Sequence, residues 1–262
     1  MNIIGSFISK KSEQMLSLFV TVYFWGFMLL TSLALFPIAV VLRVATAPFD
    51  RRLRLLHRFT SFWGSLYTRA NPLWEVTITG TEHLAVDAPA VIIANHQSFA
   101  DILVLFRLHL HYKWVSKAEN FRVPLIGWNM GLNRYIRIER GSIRGNLKMM
   151  RDCEVALRDG NSLMIFPEGT RSVDGRMRPF KEGAFELAIR MRRPILPILI
   201  SGTGDALPKR GIMLRGHHHM QVRILPPIDP ESYRGKSAEQ LAKEAFVMMS
   251  TSLSTGITVA RG

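Results

Sequence analysis

The chain has 262 residues, with 34 Lys and Arg against 20 Asp and Glu, a formal net charge of +14. It is also 48% hydrophobic, which excludes a mainly disordered chain, because such chains lack the apolar surface that drives burial. Basic charge alone points toward nucleic acid; combined with this much apolar sequence it points to one globular domain with a membrane-contacting part.

Residues 14–42 carry no charged side chain. At roughly 1.5 Å per residue a helix of that length reaches about 43 Å, more than the ~30 Å hydrocarbon core of a bilayer. The run is longer than the apolar stretch of a secretory signal, about 7–15 residues, and has no small-residue cleavage site. Lys10 and Lys11 precede it; Arg43, Arg51, Arg52, Arg54 and Arg58 follow. A spanning helix would therefore leave the main domain on the cytoplasmic side, at the inner membrane if the source is bacterial. Gly26 and Pro37 leave a second arrangement open, a kinked segment held within one leaflet. Residues 50–70 place Leu53, Leu55, Leu56, Phe59, Phe62, Trp63, Leu66 and Tyr67 near helical spacing among arginines. That pattern predicts either an interfacial helix on anionic lipid or a helix packing its apolar face on the domain. Residues 1–70 thus read as a membrane-anchoring segment, and Asn71-Pro72 marks the boundary to a domain over 71–262.

From there short apolar runs alternate with helical periodicity. Strands are predicted over 74–79, 90–94, 112–116, 134–138, 162–166, 195–200 and 220–224. Helices are predicted over 99–111, 146–158, 183–192 and 238–256, with a short amphipathic turn over 126–130. In the helix over 146–158, Leu147, Met150, Val155 and Leu157 are the expected core side chains. Such alternation predicts an α/β domain with a mostly parallel sheet flanked by helices. The single Cys153 allows no internal disulfide and reads as a buried helix residue.

Ligands collect at the carboxyl ends of parallel strands. Two polar loops emerge there: Asn95-His96-Gln97-Ser98-Phe99-Ala100-Asp101 and Pro167-Glu168-Gly169-Thr170-Arg171-Ser172. On one continuous helix His96 and Asp101 would point about 140° apart. They meet only if His96 lies in the turn and Asp101 in the first helical turn, with Ser98 as N-cap. The carboxylate would then hold the imidazole in one tautomer and raise its basicity, as a general base requires. A structural reading stays open: Asp101 as a helix-start acid, His96 as a turn residue. Gly169 permits an unusual backbone angle, and Arg171 offers a planar fork for phosphate. Lys117, Arg137, Arg140, Arg144 and Lys181 add positive charge near the strand ends. No G-x-S-x-G nucleophile and no metal-ligand spacing is present; His217-His218-His219 reads as an exposed turn.

Taken together, these segments resemble the PlsC-like glycerolipid acyltransferase family, the lysophosphatidic acid acyltransferase group. The loop from Asn95 to Asp101 is similar to its His-x4-Asp motif. Gly131–Arg140 resembles the second motif, and Phe166–Ser172 followed by Phe180-Lys181-Glu182-Gly183 matches the third. Pro194–Ile198 resembles the fourth, and Val115–Glu119 the Lys-containing segment between the first two. Arg137 replaces the usual aromatic and Glu139 the usual Asp in the second motif. The resemblance implies acyl transfer from acyl-CoA or acyl-carrier protein, as co-substrate without a cofactor, to the sn-2 hydroxyl of 1-acylglycerol-3-phosphate, giving phosphatidic acid. It implies His96 and Asp101 as catalytic residues. It also implies Lys117, Arg140, Glu168, Gly169, Thr170, Arg171 and Lys181 as substrate-binding residues, Arg140 and Arg171 with Lys117 on the acceptor phosphate. Membrane lipids are the expected partners; nucleic acid is not. Two other readings stay open: transfer to another lysolipid, such as lyso-ornithine lipid or a lysophospholipid, and a non-catalytic basic membrane or lipid-binding module.

Overall fold

The computed structural model describes residues 3–259 except 173–174, 208–211 and 215. Two helices lead, α1 (Ile3–Ala45) and α2 (Arg54–Ala70). Pro37 lies inside α1. Asp50 starts α2: its carboxylate accepts from Arg54 N and Leu55 N, both at 2.8 Å, filling two amides that a helix start leaves unpaired.

One side of α1 is committed to the protein. Val20, Phe24, Met28 and Ala39 are buried, and the Phe24 ring packs on Tyr67 of α2 and on Trp74. Thr31 and Ser32 hydroxyls meet the Tyr67 hydroxyl, and Trp25 Nε1 donates to Ile212 O. The other side exposes Phe19, Val22, Leu29, Leu30, Leu33 and Val41. Over Glu13–Ala45 the helix is long and apolar enough to cross a membrane, by length and composition. The predicted apolar set of α2 is divided between two faces. Leu56, Trp63 and Tyr67 are buried, together with the small or polar His57, Thr60, Ser61, Gly64 and Ser65, while Leu55 and Phe62 are exposed.

The domain holds a seven-stranded sheet in the order β1-β7-β6-β2-β5-β3-β4. The strands are β1 (Trp74–Thr79), β2 (Val91–Ala94), β3 (Tyr112–Lys117), β4 (Ile136–Ile138), β5 (Ser162–Ile165), β6 (Ile195–Ser201) and β7 (His218–Ile224). The block β6-β2-β5-β3-β4 is parallel throughout. β7 runs antiparallel to β6 and β1 parallel to β7, so the expected α/β class with a mostly parallel sheet holds. Successive residues of β2 serve opposite faces: Ile92 and Ala94 join the cluster with α1, α2 and α3 (Ala100–Phe106). Val91 and Ile93 join the cluster with α5 (Ile143–Arg158), α6 (Gly183–Met191) and α8 (Ala238–Val259). Burial on both faces is why these strands read as unbroken apolar runs. Two shorter helices, α4 (Ile126–Leu132) and α7 (Thr203–Ala206), complete the set.

Four expectations are corrected. The helix predicted over 99–111 ends at Phe106, and His109 turns the chain at φ 51°. α5 starts three residues before the predicted 146, because Ser142 caps it by accepting from Gly145 N at 3.0 Å. Its core face is Cys153 and Leu157, four residues apart, while Leu147 and Val155 stand on the exposed side. His218 and His219 belong to β7 rather than to a turn, and His219 Nε2 meets Thr77 Oγ1 across the sheet.

Candidate active site

The parallel block sends every carboxyl end to one edge. β2 delivers His96 two residues past its last pair, β5 delivers Phe166 and Glu168, and β6 delivers Thr203. Because β2 lies between β5 and β6, these groups converge.

His96 Nδ1 lies 2.8 Å from Asp101 Oδ2. The turn between β2 and α3 makes this possible, placing His96 outside the helix and Asp101 in its first turn. Asp101 is fully buried, and its carboxylate is held at four points. Oδ2 also accepts from Gln97 N at 2.6 Å and Ser98 N at 2.8 Å, and Oδ1 accepts from Thr203 Oγ1 at 2.5 Å. Such a set fixes both carboxylate oxygens in place. The N-cap of α3 is Phe99, with no side-chain cap, rather than the predicted Ser98; Ser98 Oγ accepts from Ala100 N at 3.1 Å and donates to Leu207 O.

The imidazole is also fixed across its plane. The Phe166 ring stacks on it at 3.9 Å between centroids and 8° between planes, and Trp114 packs on Phe166 at 5.5 Å. With Nδ1 engaged and 15% of the side chain exposed, Nε2 is the nitrogen left for an outside partner.

Glu168 does not point outward as a ligand group. It is buried; Oε1 accepts from His96 N at 2.7 Å and Oε2 from Arg178 N at 2.9 Å. It thereby ties the His96 turn to the segment beyond Arg171, a tie repeated by Ser172 N donating to His96 O at 2.8 Å. Burial pushes the Glu168 carboxyl up to about 7, against the pull of its two amide donors and with a smaller push from Asp101. Gly169 takes φ 71°, and a Cβ there would lie 3.0 Å from Lys181 Cε. The third-motif loop therefore closes on the Lys181 stem, and Lys181 N donates to Pro167 O at 2.9 Å.

The other predicted residues stand around the same edge. Lys117 ends β3 and is half-buried, Thr170 and Arg171 are half-buried in the loop after β5, and Arg140 is exposed two residues past β4. Arg137, at the departure in the second motif, lays its guanidinium over the Phe121 ring at 4.7 Å. Thr203 was missed by sequence reasoning. It belongs to no motif and reaches Asp101 only through the pairing of β2 with β6. Among the described residues no group of three or more His, Cys, Asp or Glu is placed to hold a metal ion.

The family model described as Acyltransferase matches residues 75–201, from the start of the sheet through β6. A 1-acyl-sn-glycerol-3-phosphate acyltransferase of Chlamydomonas reinhardtii is 38% identical over 234 residues, covering 87% of this chain and 67% of that protein. The chain belongs to the acyltransferase family. A chloroplastic 1-acyl-sn-glycerol-3-phosphate acyltransferase of Brassica napus is 36% identical, covering 79% of this chain and 60% of its own length. The chain thus spans about two thirds or less of these relatives. The crystal structure of the 1-acyl-sn-glycerophosphate acyltransferase of Thermotoga maritima superposes with a TM-score of 0.74. It does so at 21% identity, covering 93% of this chain and 97% of that one. The fold, including the helices before the sheet, is shared with that enzyme.

Proposed function

We propose that the protein transfers a fatty acyl group from an acyl thioester to the sn-2 hydroxyl of 1-acylglycerol-3-phosphate, giving phosphatidic acid. The observation that carries this reading is the His96–Asp101 pair at 2.8 Å, at the edge where the family's motifs converge. Nδ1 donates to the carboxylate, so Nε2 takes the proton of the acceptor hydroxyl as the oxygen attacks the thioester carbonyl carbon. The tetrahedral intermediate collapses, the carbon–sulfur bond breaks, and the thiolate takes the proton back from the imidazolium. No enzyme-bound acyl group forms and no cofactor is needed beyond the thioester, which arrives on CoA or acyl-carrier protein. In this reading Arg140, Arg171 and Lys117 engage the acceptor phosphate. Glu168, Gly169, Thr170 and Lys181 shape the loop that carries Arg171. Holding two substrates in register supplies much of the acceleration.

Attachment to the membrane follows from α1. Its inner face packs on the domain from Val20 to Ala39, which supports an in-plane arrangement over a spanning one. Its outer face instead lies in one leaflet, with the arginines after α1 on anionic headgroups at the cytoplasmic side.

The test is an acceptor panel: 1-acylglycerol-3-phosphate, lysophosphatidylcholine, lysophosphatidylethanolamine and lyso-ornithine lipid, each with acyl-CoA and acyl-carrier protein. Fastest turnover on 1-acylglycerol-3-phosphate is expected. Faster turnover on lyso-ornithine lipid or a lysophospholipid would reassign the acceptor, and no transfer to any of them would refute the reaction.

A further inference from the structure

We propose that the two crossovers leaving β3 and β4 form a second lipid-contacting surface, beside the reaction edge and separate from the outer face of α1. The inference rests on the proposed transfer to a membrane lipid and says how that lipid reaches His96.

β3 and β4 are neighbours in the sheet, so the segments that leave them start side by side at the edge carrying His96. The first segment exposes Val123 and leads into α4, which exposes Trp128. The second leads into α5, where Ile143 is 82% and Leu147 57% exposed. Ile143 and Leu147 lie four residues apart and so share one helix face. Large apolar side chains this exposed are ordinary when scattered, but a group of them rimmed by positive charge marks a contact surface. Here Arg122 precedes Val123, and Arg140 and Arg144 flank Ile143; all three are exposed. Apolar side chains set among arginines are the chemistry of an interface with anionic lipid: alkyl groups enter the headgroup boundary while guanidinium groups meet phosphate.

The patch continues a surface already assigned to lipid. Trp128 packs on Phe36 of α1 at 5.7 Å, joining the exposed face of α1 to the first crossover. A membrane touching α1 alone would leave the reaction edge unanchored. Contact at Val123 and Ile143 brings the headgroup layer to the ends of β3 and β4. The acceptor then keeps its acyl chain in the leaflet while its glycerol reaches the site.

The test uses the full chain. Cys153 is buried, so an Ile143→Cys variant takes an environment-sensitive dye at one place. Val247→Cys, exposed on α8, which packs on the same sheet face as α5 but over β6, away from the ends of β3 and β4, is the control. On phosphatidylcholine vesicles containing phosphatidylglycerol, the dye at 143 is expected to shift to the blue and the dye at 247 to stay aqueous. A dye at 143 as aqueous as that at 247, with the protein sedimenting with the vesicles, overturns the proposal. A second variant, Ile143→Ser with Leu147→Ser, removes only exposed groups. It is expected to lose about tenfold in rate on vesicle-embedded acceptor and to match the parent on a short-chain, monomeric acceptor. Loss confined to the carrier-protein donor would make the patch a protein-docking surface and would also overturn the proposal. The dye result needs no turnover, so a failed lipid contact and a failed reaction assignment are read separately.

Discussion

Asp101→Asn separates the charge of the carboxylate from its geometry. Oδ2 is surrounded by three donors, His96 Nδ1, Gln97 N and Ser98 N, so the amide oxygen of Asn must take that position. The amide nitrogen then falls where Oδ1 was, facing Thr203 Oγ1. A hydroxyl can accept as readily as donate, so Thr203 turns and the shape survives. Only the negative charge beside the developing imidazolium is lost. At a separation of about 4 Å and an effective dielectric near 20, a full charge pair is worth about 4 kcal/mol. With partial charge in the transition state, about 2–4 kcal/mol is at stake, a fall in kcat of roughly 30- to 1000-fold. The assay is steady-state acyl transfer at saturating acceptor, paired with thermal unfolding. The expected result is the kcat loss with Tm within a few degrees of the parent. A variant within threefold of parental kcat would refute the electrostatic role, and a collapse of Tm would refute the claim that the four-point cradle accepts an amide.

Other predictions follow from neighbouring contacts. Thr203→Val leaves a buried carboxylate oxygen without its donor, costing about 1–3 kcal/mol of stability. Thr203→Ser recovers most of it, and denaturant unfolding of both variants gives the answer. Phe166→Leu keeps apolar volume but removes the ring stacked on His96. Its kcat is expected to fall more than its KM rises, whereas an unchanged kcat would show that Asp101 alone orients the imidazole. Glu168 carries a stability–pH signature. Its carboxyl sits at about 7 in the fold against 4.5 unperturbed. Between those values the folded state holds a proton that the unfolded state has released, so this group's contribution declines as pH rises from about 4.5 to 7 and is flat above. Glu168→Gln lacks this slope, and it is less stable above pH 7 because one backbone N–H must face an amide NH2. On α1, Leu30→Asp with Leu33→Asp is expected to weaken vesicle sedimentation at unchanged Tm, whereas Phe24→Ala lowers Tm through a buried cavity.

The sequence made the sheet legible where burial is two-sided. Residues 91–94, 162–165 and 195–200 stand out as apolar runs because both faces are covered. The pairing of His96 with Asp101 was legible as well, since a five-residue spacing closes only across a strand-to-helix turn. Groups that arrive through strand order were not legible. Thr203 is more than a hundred positions from Asp101 and reaches it because β6 pairs with β2. Glu168 was visible as a motif residue, yet its tie to the His96 and Arg178 amides depends on how two loops fold together. Likewise α2 showed only part of its packing: Leu56, Trp63 and Tyr67 recur at helical spacing, but the small or polar His57, Thr60, Ser61, Gly64 and Ser65 that share their buried side give no apolar signal. The predicted core side of α5 failed at Leu147 and Val155, whose side is set by the Ser142 cap and the positions of Cys153 and Leu157.

His96 is proposed as the base that activates the acceptor hydroxyl for attack on the thioester. A single-turnover assay with labelled acyl-CoA and 1-acylglycerol-3-phosphate in vesicles, comparing the parent with His96→Ala, tests it most directly. Labelled phosphatidic acid is expected from the parent and none above background from the variant, with vesicle binding and Tm retained. Phosphatidic acid formed by His96→Ala at a rate near that of the parent would contradict this role.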